Sequence, residues 1–413
     1  MSIIKNHNKS RKRKSAFRRV SEWLHLWLGL FSGIIVFVIC LTGALWVFRH
    51  EVWYFTERYQ QVEPRRQAMM LPSHLIANAK EYLAIKEKQR VEITSITYGL
   101  PTKAVAVDYN LKASGYGTIY LNPYLGNVLM DKRGESAAEK FFIFVRAGHR
   151  FLWLPKEIGS PLVGASCLIF VITLITGVIW WLPVKWNSKT RKKSFGIKWK
   201  ANWKRVNIDL HNVLGFYAVI FVLVLTVTGI IFTFKWFENG IYKILTWKNP
   251  AAAEITQPLS DTTLLKSANR FHPEDILWKR MNSTYNGKIG RLVIDFPAKA
   301  EDPYQVIVLF GDGTIIYNKV LAYYDQYSLQ QIKTDKERLK PYAHLSTGEK
   351  VFRMNFDIHT GQILGLPTKI IAFFACIIGA SLPVTGFIIW YNRKWGKRKR
   401  PKNVNNLVSW SAE

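Results

Sequence analysis

The sequence predicts a membrane α-helical protein: a four-span transmembrane bundle with an internal two-fold repeat, carrying two small α+β domains on its outer side. Three observations lead there. Four apolar runs, at 26–48, 159–182, 212–234 and 368–391, are each about 20 residues or more, enough to cross the hydrocarbon core of a bilayer. The segments between them alternate between short and strongly basic and long and nearly charge-balanced. The first and third runs, finally, share one register of histidine, glycine and threonine. Averages conceal this: 413 residues, 49% apolar, with a net charge of +30 would equally describe a basic soluble enzyme.

The register is the most informative feature. Residues 23–48 read WLHLWLGLFSGIIVFVICLTGALWVF and residues 209–234 read DLHNVLGFYAVIFVLVLTVTGIIFTF. His25 precedes Gly29, and His211 precedes Gly215, by four residues; each histidine precedes a Thr-Gly pair, Thr42-Gly43 or Thr228-Gly229, by seventeen. Spans two and four follow a second shared pattern, with His149 27 residues before Thr176 and His359 26 residues before Thr385.

Charge orients the bundle. Residues 1–25, 183–211 and 392–413 hold 24 Lys and Arg against three acids, Glu22, Asp209 and Glu413. By the positive-inside rule these are cytoplasmic, both termini included, and the two long segments face outside. The runs at 11–14, 190–194 and 396–402 are then topology signals in contact with anionic membrane lipid, and no nucleic-acid partner is expected. The first span ends in bulky residues rather than a small-x-small cleavage site, so it is expected to stay as an anchor. Cys40, Cys167 and Cys376 all fall within spans, which leaves the outer segments without a disulfide framework. With no C-x-x-C-H, covalent haem attachment is excluded, and a metal cofactor would need histidine ligands.

In chain order the expected units are a basic N-terminus (1–22), span one (23–48), a first outer domain (49–136), an interfacial helix (137–158), span two (159–182), a basic loop (183–208), span three (209–234), a second outer domain (235–357), an interfacial turn with span four (358–391) and a basic tail (392–413). In the first outer domain 72–86 reads as a helix, and 91–98, 103–110, 117–122 and 127–131 as strands, from their alternation. In the second, 262–271 reads as a helix, and 290–296, 304–310 and 313–320 as strands. Residues 137–155 have the apolar and basic mixture of an interfacial helix, and Pro383 is expected to kink span four.

Four of the nine histidines hold equivalent places in the repeat. His25 and His211 lie at the inner ends of spans one and three, and His149 and His359 just before the outer ends of spans two and four. Two neutral imidazoles from facing helices can ligate one haem iron from both sides, and bundle cores are where such sites are built. Gly29 and Gly215, one turn after their histidines, would leave room for a porphyrin against the helix; alternatively Gly29-x-x-x-Gly33 is a helix-packing face. His149 and His359 lie several residues outside the apolar runs, which leaves an interfacial role open for them. His7, His50, His74, His272 and His344 have no repeat partner and are expected at the surface, with His50 and His344 as reserve ligands or substrate contacts. The tryptophans near span ends are accounted for by an aromatic belt.

The pattern resembles the PepSY-associated transmembrane family of bacterial inner-membrane proteins. The resemblance rests on HLWLGLFSG with LTG in span one, GTIYLNPYLGNVL in the first outer domain, DLHNVLG with TG in span three, and IHTGQILGLPTKI with VTGFIIW in span four, and covers nearly all of 15–395. The second outer domain departs from the family, because residues 321–332 lack the Pro and Gly of its usual turn. The resemblance implies a bacterial inner-membrane location, PepSY-like periplasmic domains and a role in iron uptake. It implies two haem b groups with His25, His211, His149 and His359 as axial ligands, and reduction of a ferric siderophore, Fe3+ to Fe2+, in the periplasm. No NAD or flavin fingerprint occurs, so a separate electron donor, a cytosolic reductase or a quinol, is expected. The rival reading is a non-enzymatic PepSY membrane protein that binds or regulates an envelope protease or another partner, with structural histidines. A siderophore permease is disfavoured, since the polar groups of the spans sit at their ends rather than at the midplane.

Overall fold

An apolar run in lipid has only its own backbone to hydrogen-bond with, so each of the four runs forms a helix. The computed structural model describes residues 15–86, 91–111, 115–183, 186–250, 258–267, 272–333 and 340–396; the basic run at 11–14, most of that at 396–402, and His7 lie outside them. Helix α1 (Ala16–Val47) starts seven residues before the expected boundary, where the Ser15 side chain accepts from the Arg18 backbone amide. A short α2 (Arg49–Thr56) continues it. After α3 (Pro72–Lys86) come β1 (Val91–Tyr98), β2 (Val105–Leu111), β3 (Gly115–Leu121) and β4 (Val128–Arg133), close to the expected strands. Helix α4 (Ala137–Phe151) opens with a Ser136–Glu139 capping box and leads into the second span, α5 (Lys156–Trp181).

A short α6 (Ser188–Phe195) precedes the third span, which is α7 (Trp203–Asp209), a single π-helical turn (Leu210–Leu214) and α8 (Gly215–Ile231). The π turn holds His211, and such turns are frequent at functional sites. Then follow α9 (Lys235–Thr246), α10 (Pro273–Tyr285), β5 (Ile289–Asp295), β6 (Tyr304–Phe310), β7 (Val320–Tyr324) and β8 (Gln331–Ile332). The chain ends in α11 (Thr347–Arg353), α12 (Asn355–His359) and the fourth span, α13 (Leu366–Lys394), one helix through Pro383. The four spans are long and apolar enough to cross a membrane. Helices α1 and α8 each pack against both α5 and α13.

The two outer segments, expected as separate domains, close into one antiparallel sheet of eight strands in the order β4-β3-β2-β1-β5-β6-β7-β8. The joint is β1 with β5, from Ser95 opposite Asp295 to Tyr98 opposite Leu292. Each four-stranded half would otherwise expose an unpaired edge, and the pairing satisfies both. One core runs through both halves, with Leu75, Leu83, Ile96, Leu277, Leu292 and Ile294 essentially inaccessible under α3 and α10. The two helices are pinned together where Asp275 accepts from the Ser73 amide at 2.8 Å and its hydroxyl at 2.7 Å.

Two expectations in the second outer segment are corrected. Residues 262–267 form a 3-10 turn and 268–271 lie outside the described residues; the helix of this half is α10, whose Pro273 start and acidic first turn are the usual opening signals. Residues 313–319 are not a strand: Asp312 accepts from the Thr314 amide and hydroxyl, and the Ile316 amide donates to Asp357, which draws the segment off the sheet toward α12. The turn lacking Pro and Gly nevertheless keeps the geometry of its counterpart. Asn122 accepts from the amides of Tyr124 and Leu125, and Gly126 takes φ +72°. Asp325 accepts likewise from Tyr327 and Ser328, and Leu329 takes φ +54°.

Candidate functional site

The four repeat-matched histidines share one local arrangement, built on the Thr-Gly pairs. His25 Nδ1 lies 2.9 Å from the Thr173 carbonyl of α5 and 3.5 Å from the Thr176 hydroxyl. His149 Nδ1 lies 2.8 Å from the Ile39 carbonyl of α1 and 3.3 Å from the Thr42 hydroxyl. His359 Nδ1 lies 3.0 Å from the Leu225 carbonyl of α8 and 3.1 Å from the Thr228 hydroxyl. His211 Nδ1 lies 2.9 Å from the Thr385 hydroxyl of α13 and is hydrogen-bonded to the Leu382 backbone. In each case the carbonyl belongs to the residue three before the threonine, whose own hydroxyl donates back into its helix.

A carbonyl only accepts, so each Nδ1 carries the proton and each Nε2 keeps its lone pair. The glycine after each threonine makes room for the ring. A Cβ on Gly177 or Gly229 would stand 2.9 Å from Cε1 of His25 or His359, and on Gly386 or Gly43 3.2 or 3.3 Å from Cε1 of His211 or His149. Each Thr-Gly pair is thus a seat for a histidine from another helix.

The seated rings meet in the pairs expected from sequence. At the basic end of the bundle His25 faces His211, with ring centres 6.2 Å apart and planes at 78°. At the sheet end His149 faces His359, with centres 6.0 Å apart and planes at 54°. Imidazole–metal bonds are about 2 Å, so two of them, together with the distance from each nitrogen to its ring centre, account for a separation of this size. The seats on α1 and α8 hold the rings of His149 and His359; burial lowers the pKa of both, that of His359 to about 4, which favours the neutral imidazole.

Between α1, α5, α8 and α13 a largely apolar cavity of about 410 Å³ surrounds the His25–His211 pair. Gly29, Gly33 and Gly215 line it with Phe170, Phe216 and Trp180, and Arg18, Lys193 and Arg393 stand around it. A Cβ at Gly29 would stand in ordinary contact with Thr173 Cγ2 at 3.5 Å, whereas one at Gly215 would meet Leu382 Cδ2 at a tight 3.3 Å.

A model of the PepSY-associated TM region matches residues 22–393. The chain belongs to the PepSY-associated transmembrane family. It is a multi-pass membrane protein, as that family and its four apolar helices require. No curated protein matches the chain.

Of the remaining histidines, His74, His272 and His344 are exposed as expected, and His272 lies 3.1 Å from Glu274. His50 departs from the expected surface position: it is half-buried against Trp53, ring centres 5.2 Å apart, and desolvation together with the Arg49 and Lys369 charges lowers its pKa to about 3. Sequence reasoning treated the Thr-Gly pairs as register marks and missed that they hold the histidines. Their four-fold recurrence at set distances from a histidine was the signal.

Proposed function

We propose that this PepSY-associated protein binds two haem b groups and passes electrons across the bacterial inner membrane to a ferric siderophore in the periplasm. The observation that carries the proposal is the arrangement of the four histidines as two close pairs, one at each end of the bundle, each ring tethered through Nδ1 and so left with a free Nε2 lone pair. Among the described residues no cluster of three or more His, Cys, Asp or Glu is placed to hold a metal ion. A site of two imidazoles therefore suits a metal whose other ligands come from a macrocycle. His25 and His211 would hold one group in the glycine-lined cavity, and His149 and His359 the other. Haem would supply reversible one-electron chemistry there; the chain would supply imidazole nitrogens in fixed orientation and, at the inner pair, a largely apolar lining.

Along α1, His25 and the seat of His149 at Thr42 are seventeen residues apart, about 25 Å of helix rise, which spans most of a hydrocarbon core of about 30 Å. The basic residues of the first and fourth spans and of the loop at 186–205 favour a cytoplasmic position for the His25–His211 end, with both termini inside and the sheet in the periplasm. The repeat of helix, sheet and seat supports two equivalent halves. Reduction weakens hard-oxygen coordination of iron, so electron delivery would free the metal without breaking the chelator. A separate donor, a cytosolic reductase or a quinol, is required. A protein that only bound an envelope partner through its sheet would have no use for tethered imidazole pairs at both ends.

The test is a reduced-minus-oxidised visible spectrum of the detergent-purified protein with a haemochrome count per chain. Two low-spin b haems are expected, falling to one in His25→Ala or His211→Ala. A chain without haem after expression with adequate haem supply overturns the proposal.

A further inference from the structure

Arg49 begins α2, just past the sheet end of α1, and only 6% of it is exposed. Guanidinium groups stay protonated in proteins, and an unneutralised charge is costly to bury. The hydrogen-bond partners of Arg49 are all neutral, and Glu51 acts on it only through its field. Nη1 donates to the Trp46 carbonyl at 3.4 Å, and the guanidinium carbon lies 4.8 Å from the centre of the Trp46 ring. The Gln362 amide oxygen, turned toward the guanidinium, accepts from Nη2 at 2.6 Å and Nη1 at 3.2 Å. Among the described residues no carboxylate forms an ion pair with Arg49. The acid two residues on, Glu51, is engaged by the buried Lys369 at 2.7 Å.

The position of this charge relates it to the outer histidine pair. Arg49 follows Thr42, the seat of His149, by seven residues, and lies beyond it toward the sheet, just past the end of α1 at Val47. Gln362, which holds its fork, follows His359 by three. Both ends of the Arg49 contact thus belong to the segments that carry the outer pair. The surroundings are rich in cations, with Lys369 and Arg291 close enough to act on the neighbouring His50 and only Asp312 opposing them there.

We propose that Arg49 binds a carboxylate of the molecule held between His149 and His359, namely a propionate side chain of the outer haem. This rests on the haem reading above. Gln362 takes the Nη1–Nη2 edge of the guanidinium and holds the plane in place while contributing no charge, which leaves the Nε–Nη2 edge to meet a carboxylate in two-pronged geometry. The guanidinium then lies within the field of the haem iron and favours the reduced, less positive state. Arg49 is in this sense a binding residue that also tunes potential.

The experiment is a spectroelectrochemical titration of the full-length protein in carboxylate-free buffer, comparing wild type with Arg49→Gln and Arg49→Lys. Arg49→Gln is expected to weaken reduction of one haem about tenfold, a 59 mV fall for a one-electron couple, and to leave the other wave in place. Arg49→Lys keeps the charge but loses the fork, so it should show a smaller shift of the same sign; it also serves if the glutamine variant does not fold. Unmoved waves in both variants, or an equal shift of both haems, overturn the inference while the haem reading stands. A difference between variants that emerges only on adding free acetate would point to a free acid as ligand, and overturns it too. A wild-type chain without haem removes both.

Discussion

Alanine at Gly177 puts a methyl carbon 2.9 Å from Cε1 of His25, and alanine at Gly229 does the same to His359. Comfortable carbon–carbon contact begins at about 3.5 Å, so the ring has to retreat by roughly half an ångström. It is not free to do so, because its Nδ1 is held 2.9 Å from the Thr173 carbonyl on the same seat. Losing that bond costs about 1 kcal/mol, and overpacking adds at least about 1 kcal/mol more. The combined penalty of about 2 kcal/mol corresponds to roughly a 30-fold loss of ligand affinity. At Gly386 and Gly43 the same carbon stands at 3.2 and 3.3 Å, so the effect there should be weaker. Gly240→Ala, in α9, is the control, since its added carbon would meet nothing within 4 Å. The assay is haem per chain and low-spin band intensity for the five single variants purified alike. Gly177→Ala and Gly229→Ala should each weaken or lose one haem, Gly386→Ala and Gly43→Ala should lose less, and Gly240→Ala should match wild type. Retention of both haems with unshifted bands in Gly177→Ala and Gly229→Ala would refute the seat argument.

Three further predictions concern the sheet end. His50 has a folded-state pKa of about 3, depressed below its ordinary value first by burial and then by the Arg49 and Lys369 charges, so the unfolded chain takes up the proton first. Stability is then complete above about pH 6.5 and falls as pH drops, by roughly 2 kcal/mol at pH 5; His50→Gln should flatten this slope in unfolding measured at pH 7 and pH 5. Asp275→Ala leaves the buried Ser73 amide and hydroxyl without their acceptor and should destabilise the sheet by about 3 kcal/mol, read as a lower midpoint of denaturation and faster proteolysis between α3 and α10. Leu329→Gly relieves a left-handed residue worth about 1 kcal/mol but removes a side chain only 2% exposed, worth about 2 kcal/mol or more, so the balance should be a net loss of thermal stability.

The spans and the pairing of the histidines were legible because both depend on local spacing: apolar length sets the helices, and repeated intervals mark equivalent positions. Strands such as Val91–Tyr98 were legible for the same reason, since alternation marks the half-buried face. What the sequence did not show depends on contacts far apart in the chain. The union of the two outer segments turns on β1 pairing with β5, about 200 residues away, and nothing in either strand names its partner. Likewise Arg49 and Lys369 read as residues of flanking segments, and their burial goes with contacts to Gln362 and Glu51, each more than 300 residues away in the chain. Residues 313–319 have the alternation of a strand but are drawn off by Asp312 and Asp357, a case of side-chain acceptors outcompeting the ladder.

The seats also explain which intervals in the chain are fixed and which are not. Span one carries the histidine of the basic end and, at Thr42-Gly43, the seat of the sheet end; span three carries His211 and the seat at Thr228-Gly229 in the same way. In span one both features lie on one α-helix, where a single inserted residue would rotate one against the other by about 100° and shift it by about 1.5 Å. Span three keeps the same interval of seventeen across the π turn that holds His211. In the other two elements a turn separates histidine from seat, residues 152–155 after α4 and 360–365 after α12, and intervals of 27 and 26 are both accommodated because the turn absorbs the difference. Each histidine is held by another helix of its own half and faces a histidine of the other half, so neither half can complete a pair alone. The two sites are therefore properties of the whole bundle, and the distance between them is set by the rigid interval within spans one and three.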